Sequence, residues 1–451
     1  MDLPNYFLAD LPDASTLTPR LITEACQTLK RNRAKFLAQQ TTEDLIEIIS
    51  NLAGEWLDAS FPFRRLALEK GPAHTGFSRE TIEADLDQFF TQITPENLQA
   101  LLLQDLGSAR RLDEFVATEP ERRQNRSSIV RGPELLVHIT GGFLPNPALT
   151  SIILGLLVRS AQFVKCATGT SFLPRIFAHS LYTAQPKLGA CIEIAEWKGG
   201  TASLEESLFA ETTLVTATGS DETLSALRRT LPIHVQFVGY GHKLSFAYIT
   251  RDALAKPEKL VPALARDVSA WNQLGCLSPH AIYVETGGAL TSDQLAELLA
   301  RELEALEKIQ PRGQVSPEAA AAISTRRMAY QVRASADPST KIWQSENSTS
   351  WTVVHDPALE FQPSCLNRFV YVKPVEHFDQ FLASLEPLRG KISTAGLAAP
   401  NDRVQELGLK FAEAGVTRVC RAGQMQAPPF SWRHDGRPSL GDLVTWTDIE
   451  F

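Results

Sequence analysis

At 451 residues, with 43% hydrophobic and 21% charged side chains, the chain can form two or three domains with full cores, and disorder is excluded as its default state. Lysine and arginine number 44 against 52 aspartates and glutamates, a formal charge of −8 with no long basic run, so phosphate-driven nucleic-acid binding is excluded. The six cysteines (26, 166, 191, 276, 365, 420) stand far apart without a Cys-x-x-Cys pair, which fits reduced cytoplasmic thiols and argues against a disulfide framework or a metal knuckle.

Met1 to Asn5 carries neither a basic nor an apolar signal region, so no export signal is expected. Thr18 to Leu106 reads as helices, with Thr18-Pro19 and Thr94-Pro95 as cap-plus-proline starts and Leu45, Ile48, Ile49 and Leu52 at helical spacing. A polar connector, Thr118 to Ser128, reads as a solvated loop. From Leu135 the rhythm alternates. Leu135–Ile139, Phe163–Cys166, Cys191–Ala195, Leu214–Thr218 and Ile233–Val238 are predicted strands. Helices intervene, one of them capped by Asn146-Pro147 and carrying Leu149, Ile152, Ile153, Leu156 and Leu157 on a broad face. That apolar run, about Leu149 to Val158, is too short to span a bilayer, so no membrane span is expected. Strands separated by helices imply crossovers and a doubly wound parallel sheet. Further on, Leu260, Leu264, Val268 and Trp271 share one helical face, Ala281–Val284 is a strand, and helices near 290–306 and 317–332 precede a strand at Arg368–Val372.

Two features suggest a nucleotide site. Lys165 ends an apolar strand, where a cation can reach a ribose or phosphate at the carboxyl edge of the sheet. Gly219-Ser220 lies between a strand and a helix whose N-terminus could face a pyrophosphate, although Asp221 and Glu222 follow at once. Neither a full Gly-x-Gly-x-x-Gly nor a Gly-Lys-Ser/Thr loop occurs. Between the helix and the strand near 270–284 stands Cys276, after Gly275, which eases a turn, and before Pro279, which ends any helix. Most free cysteines are inert core thiols. On such a junction, however, a thiol can face a cleft as a nucleophile, with backbone N–H groups to stabilise an oxyanion.

The order of these pieces is more specific than any one of them. Gly141-Gly142-Phe143-Leu144-Pro145, Phe163-Val164-Lys165, Thr218-Gly219-Ser220, Gly241-His242-Lys243 and Asn272-Gln273-Leu274-Gly275-Cys276, in that sequence, resemble the aldehyde dehydrogenase superfamily. Within it the chain is most similar to the LuxC-type acyl-CoA reductases of bacterial-luminescence fatty acid reductases. Ser151 to Leu157, Leu277-Ser278-Pro279, and His434-Asp435-Gly436-Arg437-Pro438 through Leu443-Val444 carry that closer match, which covers roughly residues 130 to 451.

The resemblance implies reduction of an acyl thioester to an aldehyde with a nicotinamide cofactor, NADPH. Cys276 would attack the thioester and expel the CoA thiolate, and hydride would then reduce the acyl-enzyme. It implies α/β architecture with two doubly wound parallel-sheet domains. The expected plan is a helical region (residues 1–110) packed on the cofactor domain (111–250), a catalytic domain (251–425), and a return segment (426–451) available for oligomerisation. Lys165, Thr168, Gly219 and Ser220 are the expected cofactor residues. Thr168 is uncharged where many NAD-preferring relatives place a glutamate, so a 2′-phosphate is permitted. Gly239 stands where hydrolytic members carry the glutamate that activates water, which favours reduction over aldehyde oxidation. The family's asparagine oxyanion donor aligns with Phe143, which leaves backbone N–H groups, that of Cys276 among them, for the role. His242 could approach the cleft as an acid or base, whereas His280 reads as structural. The acyl donor would be acyl-CoA or an acyl-carrying partner protein, and the assembly a homo-oligomer. Rival readings are an aldehyde-oxidising dehydrogenase, a non-redox cysteine acyltransferase or hydrolase, and an inactive scaffold.

Overall fold

The structure, a computed structural model, describes residues 3–12, 15–142 and 144–451. It divides into two compact units, residues 1–75, 86–241 and 429–451 in one and 76–85 and 242–428 in the other. Strands of the first unit are Arg126–Arg131 (β1), Leu135–Thr140 (β2), Ala161–Cys166 (β3), Ile192–Glu196 (β4), Leu214–Thr218 (β5), Gln236–Tyr240 (β6) and, from the C-terminal segment, Thr445–Glu450 (β14). Five of them form a wholly parallel sheet in the order β4-β3-β2-β5-β6. The chain starts this sheet at its centre, winds outward to β4, and returns across to β5. The switch point between β2 and β5 is where a doubly wound sheet opens a crevice at its carboxyl edge.

Sequence pattern explains the layers. Alternate residues Leu135, Val137 and Ile139 of β2 share a core with Phe163, Ala195 and Val215 and with Ile22, Cys26 and Leu29 of the Pro19–Asn32 helix. That helix begins where Thr18 accepts from the Leu21 N–H at 3.2 Å, with Pro19 in its first turn. The other N-terminal helices of this unit are Thr42–Leu57, Pro62–Thr75 and Pro95–Leu106.

The second unit contains Leu244–Ile249 (β7), Pro279–Glu285 (β8), Lys341–Gln344 (β9), Thr352–His355 (β10), Phe369–Val375 (β11), Ile392–Ala398 (β12) and Arg418–Arg421 (β13). Their order is β13-β12-β7-β8-β11-β10-β9, parallel throughout except for the edge pair β10–β9. One face, with Ala247, Ile249, Ile282, Val284 and Val372, packs with the Pro257–Ser269 and Ser292–Ile309 helices. The other face, with Phe246, Tyr248, Tyr283 and Tyr371, packs with Ile323 and Tyr330 of Pro317–Ala336, Phe381 and Phe411. Such two-sided burial is why these strands read as continuous apolar runs.

Several expectations change. The 118–128 connector is not a plain solvated loop: it holds a short Glu119–Arg122 helix and the start of β1, which pairs antiparallel with β14. Its charges are partly interior, since Glu121 binds the buried Arg111 and accepts from the Thr118 N–H at 2.6 Å. The sixth strand begins at Gln236 rather than Ile233, because Pro232 starts a turn (Val235 N–H to Pro232 O, 3.0 Å) and Ile233 is fully exposed. Pro145, not Asn146, takes the cap position of the Asn146–Leu157 helix. The units part after Gly241 rather than at residue 250, and β7 pairs with β12 and β8 inside the second unit.

The hydrogen bond from Arg111, with those from Thr118, holds the Glu121 carboxyl at about 2. A carboxyl depressed on folding stabilises the fold fully above its ordinary value and loses that contribution as pH falls toward 2. Glu121→Gln should therefore lower the urea midpoint at pH 7, and the gap to the parent should narrow as the pH is taken below about 4.5. A gap independent of pH would contradict this electrostatic account.

Candidate active site

Cys276 sits at the amino edge of the second sheet, on the loop that feeds β8. The Pro257–Ser269 helix ends before this loop, so Trp271 is not on its face as expected. Trp271, Asn272 and Gln273 instead take left-handed backbone conformations, with φ of 46°, 52° and 65°. The chain turns there, and Gly275 is not among the positive-φ glycines. Three successive non-glycine residues in this region cost roughly 1–2 kcal/mol each. Their surroundings fix them. The Trp271 N–H donates to Asp85 Oδ2 at 2.6 Å and its ring meets Phe77 edge-on at 5.1 Å. Asn272 Nδ2 donates to Arg312 O at 2.6 Å.

Gln273 is fully buried and joins the loop to the sheet. Its Nε2 donates to Pro279 O and Phe369 O, and its Oε1 accepts from the Phe369 N–H, all at 2.8 Å. Two neighbouring strands, β8 and β11, are thereby pinned to the segment that carries the thiol. From the other side, Ser245 Oγ donates to Cys276 O at 2.6 Å and accepts from the Thr394 N–H at 3.1 Å. Cys276 itself is half-buried. Burial pushes the thiols of Cys26 and Cys191 up to about 12 and those of Cys166 and Cys420 to about 11, which disqualifies them as nucleophiles near neutrality.

His242 and Cys276 come to the same edge. Ser245 of β7 pairs with Pro279 of β8, and each of the two residues lies three positions upstream on its own strand's approach. His242 is exposed and bears electrostatically on His280. His280 is buried, and burial lowers it to about 4; its Nδ1 accepts from the Ser364 N–H at 3.1 Å. It is a neutral packing group at working pH.

In the first unit, the expected nucleotide residues gather at the carboxyl edge of the sheet. Gly141 follows β2 and Gly219 follows β5, on either side of the switch point. A Cβ on Gly141 would lie 3.1 Å from Thr218 O, and Gly142 (φ +80°) has open space at its Cβ position. At Gly141 and Gly142 the carboxyl edge thus presents backbone without side chains, as close approach of a dinucleotide would require. Lys165 is more enclosed than expected: it is buried in β3, with its ammonium 5.6 Å from the centre of the Trp197 ring. Burial pulls that ammonium below its usual value, opposed by Glu205, Cys166 and Glu196. Thr168 is exposed on the following loop. Ser220 Oγ accepts from the Thr223 N–H at 3.2 Å as a helix cap, and Asp221 and Glu222 occupy the first turn, which weakens that helix end as an anion seat.

Sequence reasoning missed Glu196. It ends β4, beside β3, and its carboxylate accepts from the Gly169 N–H at 2.6 Å and the Ser171 N–H at 3.2 Å. No motif marks it; only the strand order brings it to the loop after Lys165. Phe143 lies outside the described residues. Gly239 is in β6, where a Cβ would lie 2.9 Å from Phe237 Cε1 and 3.3 Å from Leu224 Cδ1, so a larger side chain there needs its neighbours to shift.

Comparison with known proteins places the chain in a family and confirms its fold. The profile of the acyl-CoA reductase (LuxC) family matches residues 37–446, most of the chain. The chain belongs to that family. It is an acyl-reductase-type oxidoreductase. Among curated relatives, this LuxC family member is 21% identical over 421 residues to the long-chain acyl-protein thioester reductase of Vibrio harveyi, covering 92% of this chain and 84% of that protein. It is likewise 21% identical over 418 residues to the enzyme of that name from Aliivibrio fischeri, covering 90% and 82%. Among solved structures, an Anabaena variabilis putative aldehyde dehydrogenase PutA superposes with a TM-score of 0.71 at 15% identity, covering 96% of this chain and 93% of that one. A Corynebacterium glutamicum NAD-dependent benzaldehyde dehydrogenase gives 0.69 at 13%, covering 97% and 91%. The fold is thus aldehyde-dehydrogenase-like, as expected. Among the described residues no helix is long and apolar enough to cross a membrane.

Replacing Gln273 by leucine would take the amide away from Pro279 O and Phe369 O in the interior and leave the Phe369 N–H only its 3.1 Å bond to Leu366 O. Because an orphaned buried polar group costs about 1–3 kcal/mol, Gln273→Leu should lower the unfolding free energy by about 3 kcal/mol or more in urea titration. A change within about 0.5 kcal/mol would show that the amide does not hold the loop.

Proposed function

We propose that this chain reduces an acyl thioester to the aldehyde through a covalent acyl-Cys276 enzyme, with NADPH as reductant. The acyl group is long-chain and arrives on CoA or on a partner protein; the names of the relatives support the acyl-protein donor. The observation that carries the reading is the half-buried Cys276, fixed at a sheet edge by Gln273 and Ser245, while burial silences four of the other thiols.

Cys276 Sγ attacks the thioester carbonyl carbon. The carbonyl–sulfur bond to the donor breaks, and the donor leaves as a thiolate. Lys165, Thr168, Gly219 and Ser220 would hold a reduced nicotinamide nucleotide, which would supply the hydride that turns the acyl group into a hemithioacetal anion on Cys276. Collapse of that anion breaks the carbon–sulfur bond, frees the aldehyde and returns the cysteine thiolate. His242, on the same edge, is the proposed proton carrier for the departing thiolate. Gly239 supports reduction over hydrolysis, since a glutamate there would have to displace the Phe237 ring. The same reading, on family resemblance, takes the enzyme as a cytoplasmic homo-oligomer.

For the nucleotide, the fit rests on the glycine-lined crevice at the β2–β5 switch point, with Lys165, Thr168, Gly219 and Ser220 around it. Lys165 and the uncharged Thr168 support NADPH. Glu196 favours a second reading, NADH, because a carboxylate beside that loop repels a 2′-phosphate and can hold ribose hydroxyls.

Purified protein with NADPH and a chain-length series of acyl-CoAs should form aldehyde, and Cys276→Ala should abolish both aldehyde formation and covalent acylation. Unchanged turnover in that variant excludes the mechanism. Nucleotide choice is read by fluorescence titration without substrate: the NADPH reading expects tighter binding of NADPH than NADH, and weaker NADPH binding in Lys165→Met. Tighter NADH binding, lost in Glu196→Gln, decides for the second reading.

A further inference from the structure

The nucleophile loop leans on a second loop, and that one is held by two buried groups of opposite charge. Residues 423–426 follow β13. Asp267, fully buried near the end of the Pro257–Ser269 helix, accepts from the Gly423 N–H and, at 2.9 Å, from the Met425 N–H. Arg418, buried at the start of β13, donates from Nη1 to Met425 O at 2.6 Å and from Nη2 to Gln424 O at 2.8 Å. Carboxylate and guanidinium therefore bind the donors and acceptors of the same short turn.

That turn has no slack. Gly423 is left-handed (φ +88°), and a Cβ there would lie 2.7 Å from Ala263 Cβ; Met425 is fully buried with its sulfur against Gly396. The next residue, Gln426, reaches the nucleophile loop. Its Nε2 donates to the buried Ser278 Oγ, and its Oε1 would lie 3.0 Å from a Cβ on Gly275. Gly275 and Ser278 bracket Cys276, and the Ser278 N–H donates back to Gly275 O at 3.0 Å.

We propose that Arg418 and Asp267 are positioning residues for Cys276, and that the Arg418 charge also favours the Cys276 thiolate. The proposal rests on Cys276 as the nucleophile. Its geometric half is the chain of bonds from the charged pair through residues 423–426 to Ser278. Its electrostatic half is mutual: burial pulls the Arg418 guanidinium below its usual value, Cys420, Asp267 and Cys276 oppose that, and the attraction by which a Cys276 thiolate favours charged Arg418 acts equally on the thiolate. Arg266 and Arg418 in turn act on Asp267. Burial raises the Asp267 carboxyl to about 7 against its two backbone bonds, so its charge is itself sensitive near neutrality.

The test is the rate of iodoacetamide alkylation at Cys276 against pH, assigned by peptide mass in the full-length protein, with Cys276→Ser as the blank. Arg418→Met should move the midpoint of the profile upward and slow alkylation at pH 7 about tenfold, the effect of one pKa unit. Arg418→Lys, which keeps the charge but not the two-pronged grip, should restore the midpoint and not the full rate. Gln426→Ala, which leaves the charged pair intact, should slow enzymatic acylation without moving the midpoint, and it stands in if Arg418→Met does not fold. An unmoved midpoint in folded Arg418→Met, or unchanged acylation in Gln426→Ala, overturns the proposal. Because alkylation requires neither thioester nor nucleotide, the Arg418→Met outcome separates from failure of the acyl-enzyme reading, which would appear as a parent Cys276 that alkylates normally but never carries an acyl group.

Discussion

The buried amide of Gln273 is the constraint on which the proposed active edge depends. Just before β8 the backbone is forced into left-handed geometry at Trp271, Asn272 and Gln273, and just before β11 the same happens at Leu366, Asn367 and Arg368, with φ of 58°, 54° and 65°. Six such non-glycine residues cannot persist without outside support. Gln273 ties the two runs together, taking both the N–H and the C=O of Phe369. Asp85 and Arg368 add a second link. Asp85 accepts from Trp271 N–H, while Arg368 Nη1 donates to Glu307 and Gln310 O, each at 2.9 Å, and bears electrostatically on Asp85. Strain is concentrated beside the half-buried Cys276, which is where the proposed nucleophile needs to be held still.

The two sheets use opposite edges. In the first unit the glycines that permit close backbone approach lie after β2 and β5, at the carboxyl edge, in keeping with the general rule for doubly wound sheets. In the second unit Cys276 and His242 lie before β8 and β7, at the amino edge. A loop entering a strand is tied down by the sheet it joins, and that suits a residue that must stay still. A loop leaving a strand into a helix offers backbone N–H groups, and that suits a nucleotide.

Much of this architecture was legible in the sequence because burial on both faces writes strands as short apolar runs. Leu214–Thr218 was placed to the residue, and the capped starts at Thr18 and Thr94 hold in three dimensions. Cys276 was singled out by its junction and by order of motifs. What stayed hidden was non-local. The turn at Trp271 carries no glycine or asparagine-glycine signal, and its left-handed geometry comes from Asp85, Phe77 and Arg312, all distant in sequence. Glu196 reaches the loop after Lys165 only because β4 lies beside β3. Arg418 and Asp267 read as ordinary charges until the turn between them is seen.

The claim at the centre is that one sulfur carries the acyl group through reduction. The direct measurement is a single-turnover chase: protein loaded with labelled acyl thioester, freed of excess substrate, and mixed with NADPH while the Cys276 adduct and the aldehyde are both followed. The account predicts that the adduct disappears at the rate at which aldehyde appears, in equal amounts. Aldehyde forming while the adduct persists, or an adduct on any other residue, would contradict it.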